Sequence, residues 1–169
     1  PRGCGRIRGV VVNSGCSNVC TGDRGRRDAR IMARLAAEAV GVTPEEVLVA
    51  STGIIGHPLP MDRIRRGIAA AGRALGTDSD AAVVRAIMTT DTREKSAVVQ
   101  TAVGDDSLTV AGIIKGAGMI APHMATMIAL ITTDADVSPR TLHKLFKAAA
   151  ASSFNAVSVD TDQSTSDTA

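Results

Sequence analysis

The sequence contains no tryptophan, no tyrosine and two phenylalanines. Stacking platforms for single-stranded nucleic acid need aromatic faces, so that class of partner is excluded, and any core must be built from small aliphatic side chains. Charge of one sign is scarce too. Nineteen Lys and Arg against 17 Asp and Glu leave a net +2, too little to draw a polyanion. The basic clusters Arg2, Arg6, Arg8 and Arg24, Arg26, Arg27 read as solvated surface. No apolar run is long enough to span a bilayer and no secretory h-region appears, so no membrane partner is expected. Cysteine is limited to Cys4, Cys16 and Cys20, an odd number, and reduced thiols in the cytoplasm are the expectation. Cys16-x-x-x-Cys20 has no second ligand pair at metal spacing, so no metal site is expected.

What is present is a chain of 169 residues, 44% hydrophobic and 21% charged, enough for one domain over 1–169. Pro1 is followed almost at once by a strand-like run, and the last residues end on no element. The chain is therefore expected to be a fragment lacking N- and C-terminal parts.

Hydrophobic periodicity gives the order of elements. Gly9–Asn13 is β-branched and reads as a buried strand. Cys16–Arg27 reads as a polar loop, and Asp28 as the cap of a helix over Ala29–Val40, with Ile31, Met32, Leu35, Ala36, Ala39 and Val40 inward and Gly41 as its C-terminal glycine. Thr43-Pro44-Glu45-Glu46 reads as a helix start or a single turn. Val47–Ala50 is a strand running into a Ser51-Thr52-Gly53 turn that presents backbone N–H groups and hydroxyls. A helix follows from Pro60 or Asp62 to Leu75, with Ile64, Ile68 and Leu75 inward and Gly76 at its end. Another starts at Asp78 or Asp80 and continues to Met88. Ser96–Val103 and Ser107–Ile114 form a hairpin about Gly104-Asp105-Asp106. Met127–Thr132 is strand-like, Ser138-Pro139 opens a helix to about Ser152, Asn155–Val159 is a strand, and Asp160–Thr168 is a loop. Interleaved strands and helices with at least one antiparallel hairpin predict an α/β (α+β) layered sandwich with a mixed sheet.

The segment Lys115-Gly116-Ala117-Gly118-Met119-Ile120-Ala121-Pro122-His123-Met124-Ala125-Thr126-Met127 is the most unusual. Three readings are open. Gly116-Ala117-Gly118-Met119-Ile120-Ala121 fits a G-x-G-x-x-A dinucleotide fingerprint, although Pro122 interrupts the helix that should follow. The apolar residues also fit an ordinary core strand. The third reading makes Thr126 a nucleophile. A threonine hydroxyl needs an adjacent base. If the Ala125–Thr126 bond is cut, the freed α-amine, with an ordinary pKa of about 7.7–8, supplies one. The Thr52 hydroxyl and the Gly53 N–H then offer an oxyanion hole, and Lys115 a site for a substrate carboxylate.

The chain resembles the bifunctional ornithine acetyltransferases (glutamate N-acetyltransferases) of arginine biosynthesis. The matching residues are Val12-Asn13-Ser14-Gly15, Asn18 with Cys20-Thr21-Gly22, Ser51-Thr52-Gly53-x-Ile55-Gly56, Pro60-Met61, Ile87-Met88-Thr89-Thr90-Asp91-Thr92, the Lys115–Met127 block, and Ser164-Thr165-x-Asp167-Thr168. The resemblance implies the sandwich fold of that family and self-cleavage between Ala125 and Thr126. Residues 1–125 would then belong to an α chain and 126–169 to the start of a β chain. It implies an acyltransferase in which Thr126 carries acetyl from N-acetylornithine to glutamate, with acetyl-CoA as a further donor in some members and no other cofactor. Thr52 and Gly53 would form the oxyanion hole, and Lys115, Thr126 and Thr92 would bind substrate. The partners implied are the chain's own cleaved half, in a heterotetramer of two α and two β chains. A self-processing amidohydrolase or aminopeptidase would use the same nucleophile with water as acceptor. A glutamate and a C-terminal asparagine that complete the pocket in the family have no counterpart here. Cys16-Ser17 stands where Asn-Ala is usual, and Asp160-Thr161-Asp162-Gln163 where the loop usually holds a glycine.

Overall fold

The computed structural model describes residues 7–122, 124–164 and 168–169. Thr165 and Asp167 of the last motif, like Cys4, Arg2 and Arg6, lie outside the described residues. The chain falls into two compact units, Pro1–Thr89 and Thr90–Ala169, each described by itself.

In the first unit, β1 (Gly9–Cys16) and β2 (Val47–Ile54) pair in parallel, in register from Gly9 opposite Val47 to Cys16 opposite Ile54. A parallel pair needs a crossover, and α1 (Gly22–Val40) provides it. This corrects the expected loop at Cys16–Arg27. β1 runs to Cys16, and the helix begins six residues before Asp28. The Asn18 side chain turns the corner, donating to the Gly25 carbonyl at 2.9 Å and accepting from the Thr21 hydroxyl at 2.6 Å. Asp28 is thus no cap but a buried residue inside the helix, 3.8 Å from Arg24.

Gly41 ends α1 as expected, at φ +73 with its N–H on the Ala37 carbonyl. Pro44–Glu46 is a single 3-10 turn held by a Thr43–Glu46 capping box. Two further helices follow, α2 (Met61–Arg73) and α3 (Asp80–Ile87). The core gathers Met32, Leu59 and Ile68, with Val11, Leu35, Ala36, Val49 and Ile64 against them. Leu75 and Val40, expected inward, are exposed, and α2 stops at Arg73 rather than at the expected Leu75. Ala74 already closes the turn through its N–H to Ala70 and Ala71.

In the second unit, β3 (Ser96–Val103), β4 (Asp106–Lys115) and β7 (Ile128–Thr133) form an antiparallel sheet in the order β3-β4-β7. The expected hairpin turns at Gly104 and Asp105. A small ladder, β5 (Ile120–Ala121) with β6 (Met124–Ala125), interrupts the run between β4 and β7. The α4 helix (Pro139–Ser152) is capped by the Ser138 hydroxyl, which accepts from the Thr141 N–H at 3.2 Å. The strand expected at Asn155–Val159 is absent. Phe154–Ala156 is a 3-10 turn, and Val157 and Val159 are exposed, so no apolar face drives pairing there. The small core joins Met127 and Ala129 to Ile114, Ile120 and Phe154. Parallel and antiparallel pairings are thus both present, in separate sheets.

Candidate active site

Thr52 and Gly53 belong to the first unit. The expected Ser51-Thr52-Gly53 turn is instead the end of β2. β1 continues alongside and supplies pairing partners, Ser14 for Thr52 and Gly15 for Gly53. Thr52 is fully buried. Gly53 takes φ +124, and a Cβ there would run into the Gly15 backbone, so the two strands meet as bare backbone. Asn13 ties the pair together: its Oδ1 accepts from the Ser51 hydroxyl at 2.7 Å, and its Nδ2 donates to the Cys16 carbonyl at 2.7 Å. The Ser14 hydroxyl donates to the Ala86 carbonyl at 2.6 Å, anchoring this strand end to the C-terminus of α3.

Lys115, Thr126 and Thr92 belong to the second unit. Lys115 is the last residue of β4, opposite Ile128 of β7. It is 1% exposed. Burial pushes its ammonium below the ordinary lysine value, Asp91 pulls it back up, and Lys95 pushes it down. The next residue, Gly116, is held on both sides. Its N–H donates to Asp91 Oδ1 at 2.7 Å, and its carbonyl accepts from Lys95 Nζ at 2.9 Å. Lys95 and Asp91 are themselves paired at 2.6 Å. Thr92 is exposed, in the bend between them.

Thr126 lies between β6 and β7. Its N–H donates to the Met119 carbonyl at 2.7 Å. Met119 adopts φ +56, a conformation L-residues avoid, and is fixed there by Asp160. That carboxylate accepts from the Met119 N–H at 2.6 Å, the Ile120 N–H at 3.0 Å and the Asp162 N–H at 3.2 Å. The Met119 bond is the main reason Asp160 stays below the usual carboxylate range. The Thr126 hydroxyl is buried and has no hydrogen-bond partner among the described residues. Buried polar atoms are nearly always paired, and leaving one unpaired costs about 1–3 kcal/mol. The hydroxyl is thus committed to no hydrogen bond among the described residues.

The dinucleotide reading fails on this geometry. The glycines lead into β5, a two-residue strand, and no helix follows them to receive a pyrophosphate. Sequence reading missed Lys95 and the anchoring role of Asp160. The threonine-rich Thr89–Thr92 block did mark Asp91, but nothing in the sequence linked it to Gly116.

The ArgJ family matches residues 2–169. The chain belongs to the ArgJ family. The Arginine biosynthesis bifunctional protein ArgJ of Geobacter sulfurreducens is 53% identical over 165 residues, covering 98% of this chain and 42% of that protein. Its counterpart from Symbiobacterium thermophilum is 50% identical over 163 residues, 96% of this chain and 40% of the relative. The chain therefore spans about two fifths of the length of these ArgJ relatives. Among solved structures, ArgJ of Bacillus halodurans superposes with a TM-score of 0.62 at 44% identity, covering 69% of this chain and 61% of that one. Ornithine acetyltransferase of Mycobacterium tuberculosis, solved in complex with ornithine, gives 0.62 at 38% identity, with 67% and 61% covered. The ArgJ likeness accounts for the layered α/β architecture. No helix among the described residues is long and apolar enough to cross a membrane.

Proposed function

We propose that this ArgJ-family chain carries the nucleophile of an acetyltransferase that moves acetyl from N-acetylornithine to glutamate through an acetyl-Thr126 intermediate. The observation that carries the reading is the buried, unpartnered Thr126 hydroxyl on a backbone pinned by Met119 and faced by Gly116. The 53% identity to a bifunctional ArgJ protein and the likeness to an ornithine-bound acetyltransferase support it.

The chemistry proceeds in two stages. In the first, Thr126 Oγ1 attacks the Ala125 carbonyl carbon. The C–N bond breaks as the proton passes to the departing amine, and an ester links the two halves. Water hydrolyses the ester, leaving an Ala125 carboxylate and a Thr126 with free hydroxyl and α-amine. In the second stage that amine takes the hydroxyl proton while Oγ1 attacks the acetyl carbonyl of N-acetylornithine. The Thr52 hydroxyl and Gly53 N–H take the role of oxyanion donors. Ornithine leaves with the proton, and the glutamate amine then attacks acetyl-Thr126 and restores the hydroxyl. Lys115 binds the α-carboxylate of donor and acceptor, and Thr92 makes a second contact with the substrate. Acetyl-CoA is an alternative donor to the same hydroxyl. The cleaved halves stay together and pair into a heterotetramer, working in the cytoplasm, where the thiols of Cys16 and Cys20 stay reduced.

Intact mass and an acetyl-transfer assay test the reading together. The wild-type protein separates into two chains at Ala125–Thr126 and transfers acetyl. Thr126→Ala stays whole and inactive, and Thr126→Ser keeps a measurable cut. A whole wild-type chain with full transfer activity would refute the mechanism. Release of free acetate at the rate of donor consumption would instead make water the acceptor.

A further inference from the structure

We propose that Asp91 and Lys95 form a clamp on the Gly116 peptide and are the positioning residues that set Lys115 and Thr126 for reaction, a role that rests on the Thr126 reading above. The clamp is a closed ring. Asp91 Oδ1 accepts the Gly116 N–H at 2.7 Å, Lys95 Nζ donates to the Gly116 carbonyl at 2.9 Å, and the two side chains meet at 2.6 Å. The N–H needs an acceptor and the C=O a donor, and neither a carboxylate nor an ammonium alone supplies both. A carboxylate takes the donor, an ammonium takes the acceptor, and their mutual attraction closes the loop.

The place held is the junction of the site. Gly116 directly follows Lys115. A Cβ on Gly116 would lie 3.3 Å from the Thr126 carbonyl oxygen and 3.7 Å from Met127 Cα, so the Gly116 backbone is the surface on which Thr126 rests. A shift at Gly116 is passed to both Lys115 and Thr126. The pair is also no ordinary surface contact. The Asp91 side chain is 0% exposed and that of Lys95 is 32% exposed, so the carboxylate acts out of water, where removing a charged partner is costly. The two residues act on Lys115 with opposite sign, Asp91 favouring its charged form and Lys95 opposing it.

That opposition separates positioning from mere support. Purified Asp91→Asn, Lys95→Met and Thr126→Ala are compared with wild type, with folding checked by circular dichroism. Both clamp variants are expected to slow cleavage at Ala125–Thr126 by about 10- to 100-fold, the scale of an ångström's misplacement, seen by intact mass as accumulated uncut chain. In the fraction that does cleave, the alkaline limb of the acetyl-transfer pH profile moves to lower pH in Asp91→Asn and to higher pH in Lys95→Met. Wild-type cleavage rates in both variants, or limbs that move together, would overturn the clamp. If Lys95→Met does not fold, Lys95→Gln takes its place. It keeps a donor for the Gly116 carbonyl without the charge, and is expected to cleave near the wild-type rate with a raised alkaline limb; an unmoved limb overturns the proposal. Cleavage in Thr126→Ala would sink the nucleophile reading itself, whatever the clamp variants do.

Discussion

Replacing Gly53 by alanine should strike the parallel strand pair where its two backbones touch. Two costs can be worked separately. A side chain at φ +124 is strained whatever surrounds it, by about 1–3 kcal/mol. The added methyl also runs into the Gly15 carbonyl carbon and stands 2.6 Å from Cys16 N and Gly15 O. All of these are backbone atoms that no rotamer change can move aside. Restoring an ordinary contact of 3.4 Å with all three requires β1 to retreat by about 1 Å, and overpacking of this kind costs about 1–3 kcal/mol more. The expected loss is about 2–6 kcal/mol. With a urea slope of about 1–3 kcal/mol per molar, the unfolding midpoint drops by about 1 M or more.

Gly15→Ala is the internal control. Gly15 sits at φ +99, but nothing lies within 4 Å of a Cβ built on it, so it carries strain without collision. Its midpoint should fall by roughly half as much, since only the first of the two costs applies. On the oxyanion-donor role proposed above, the parting of β1 and β2 in Gly53→Ala displaces the Gly53 N–H, and acetyl transfer in that variant should fall about 100-fold. Equal urea midpoints for Gly53→Ala and Gly15→Ala would refute the collision, and with it the account of why this strand end is fixed.

Further expectations concern the second unit. Lys115 has a lowered pKa because it is buried, so between that value and its unfolded value of 10.5 the unfolded chain binds more protons. Stability from this group therefore rises with pH across that window. Urea midpoints measured from neutral to alkaline pH should show this contribution, and Lys115→Met should remove it. Substrate binding should weaken over the same window as the charge is lost. Asp160→Ala should accelerate hydrogen exchange at the Met119 and Ile120 amides, which donate to that carboxylate. In wild type the same acceleration should appear on acidification through the depressed Asp160 pKa. Thr161 is β-branched at φ +61, and Thr161→Gly should raise stability by about 0.5–1 kcal/mol in urea unfolding, the relief of strain exceeding the added freedom of the unfolded chain.

Much of the fold was legible because local rules suffice for it. The β-branched run at Gly9, the αL glycine at Gly41, the helical turn at Thr43–Glu46, the Ser138-Pro139 helix start and the hairpin about Gly104 each depend on residues within a few positions. The errors came where a distant partner decides. β2 runs through Ser51-Thr52-Gly53 because β1 lies beside it to Cys16, which no turn propensity reveals. Asn155–Val159 has strand composition, but the Ala156 and Val157 N–H groups turn back on the Ser153 and Phe154 carbonyls, and the Val159 N–H reaches Ile120 at 3.0 Å. Leu75 fits the helical period yet lies beyond the helix's end and is 65% exposed.

The site divides the same way. Residue type and order marked the Lys115–Met127 block as unusual and offered a Thr126 nucleophile with a Lys115 carboxylate site as one of three readings; the family resemblance, not spacing, singled that reading out. Only the tertiary structure decided that the Thr126 hydroxyl is buried without a partner, that Lys115 is buried where its charge is disfavoured, and that Asp91 and Lys95 grip Gly116. These are properties of separation and exclusion of water. They arise when residues 21 to 41 positions apart are brought within hydrogen-bond reach, and a linear pattern carries no record of that.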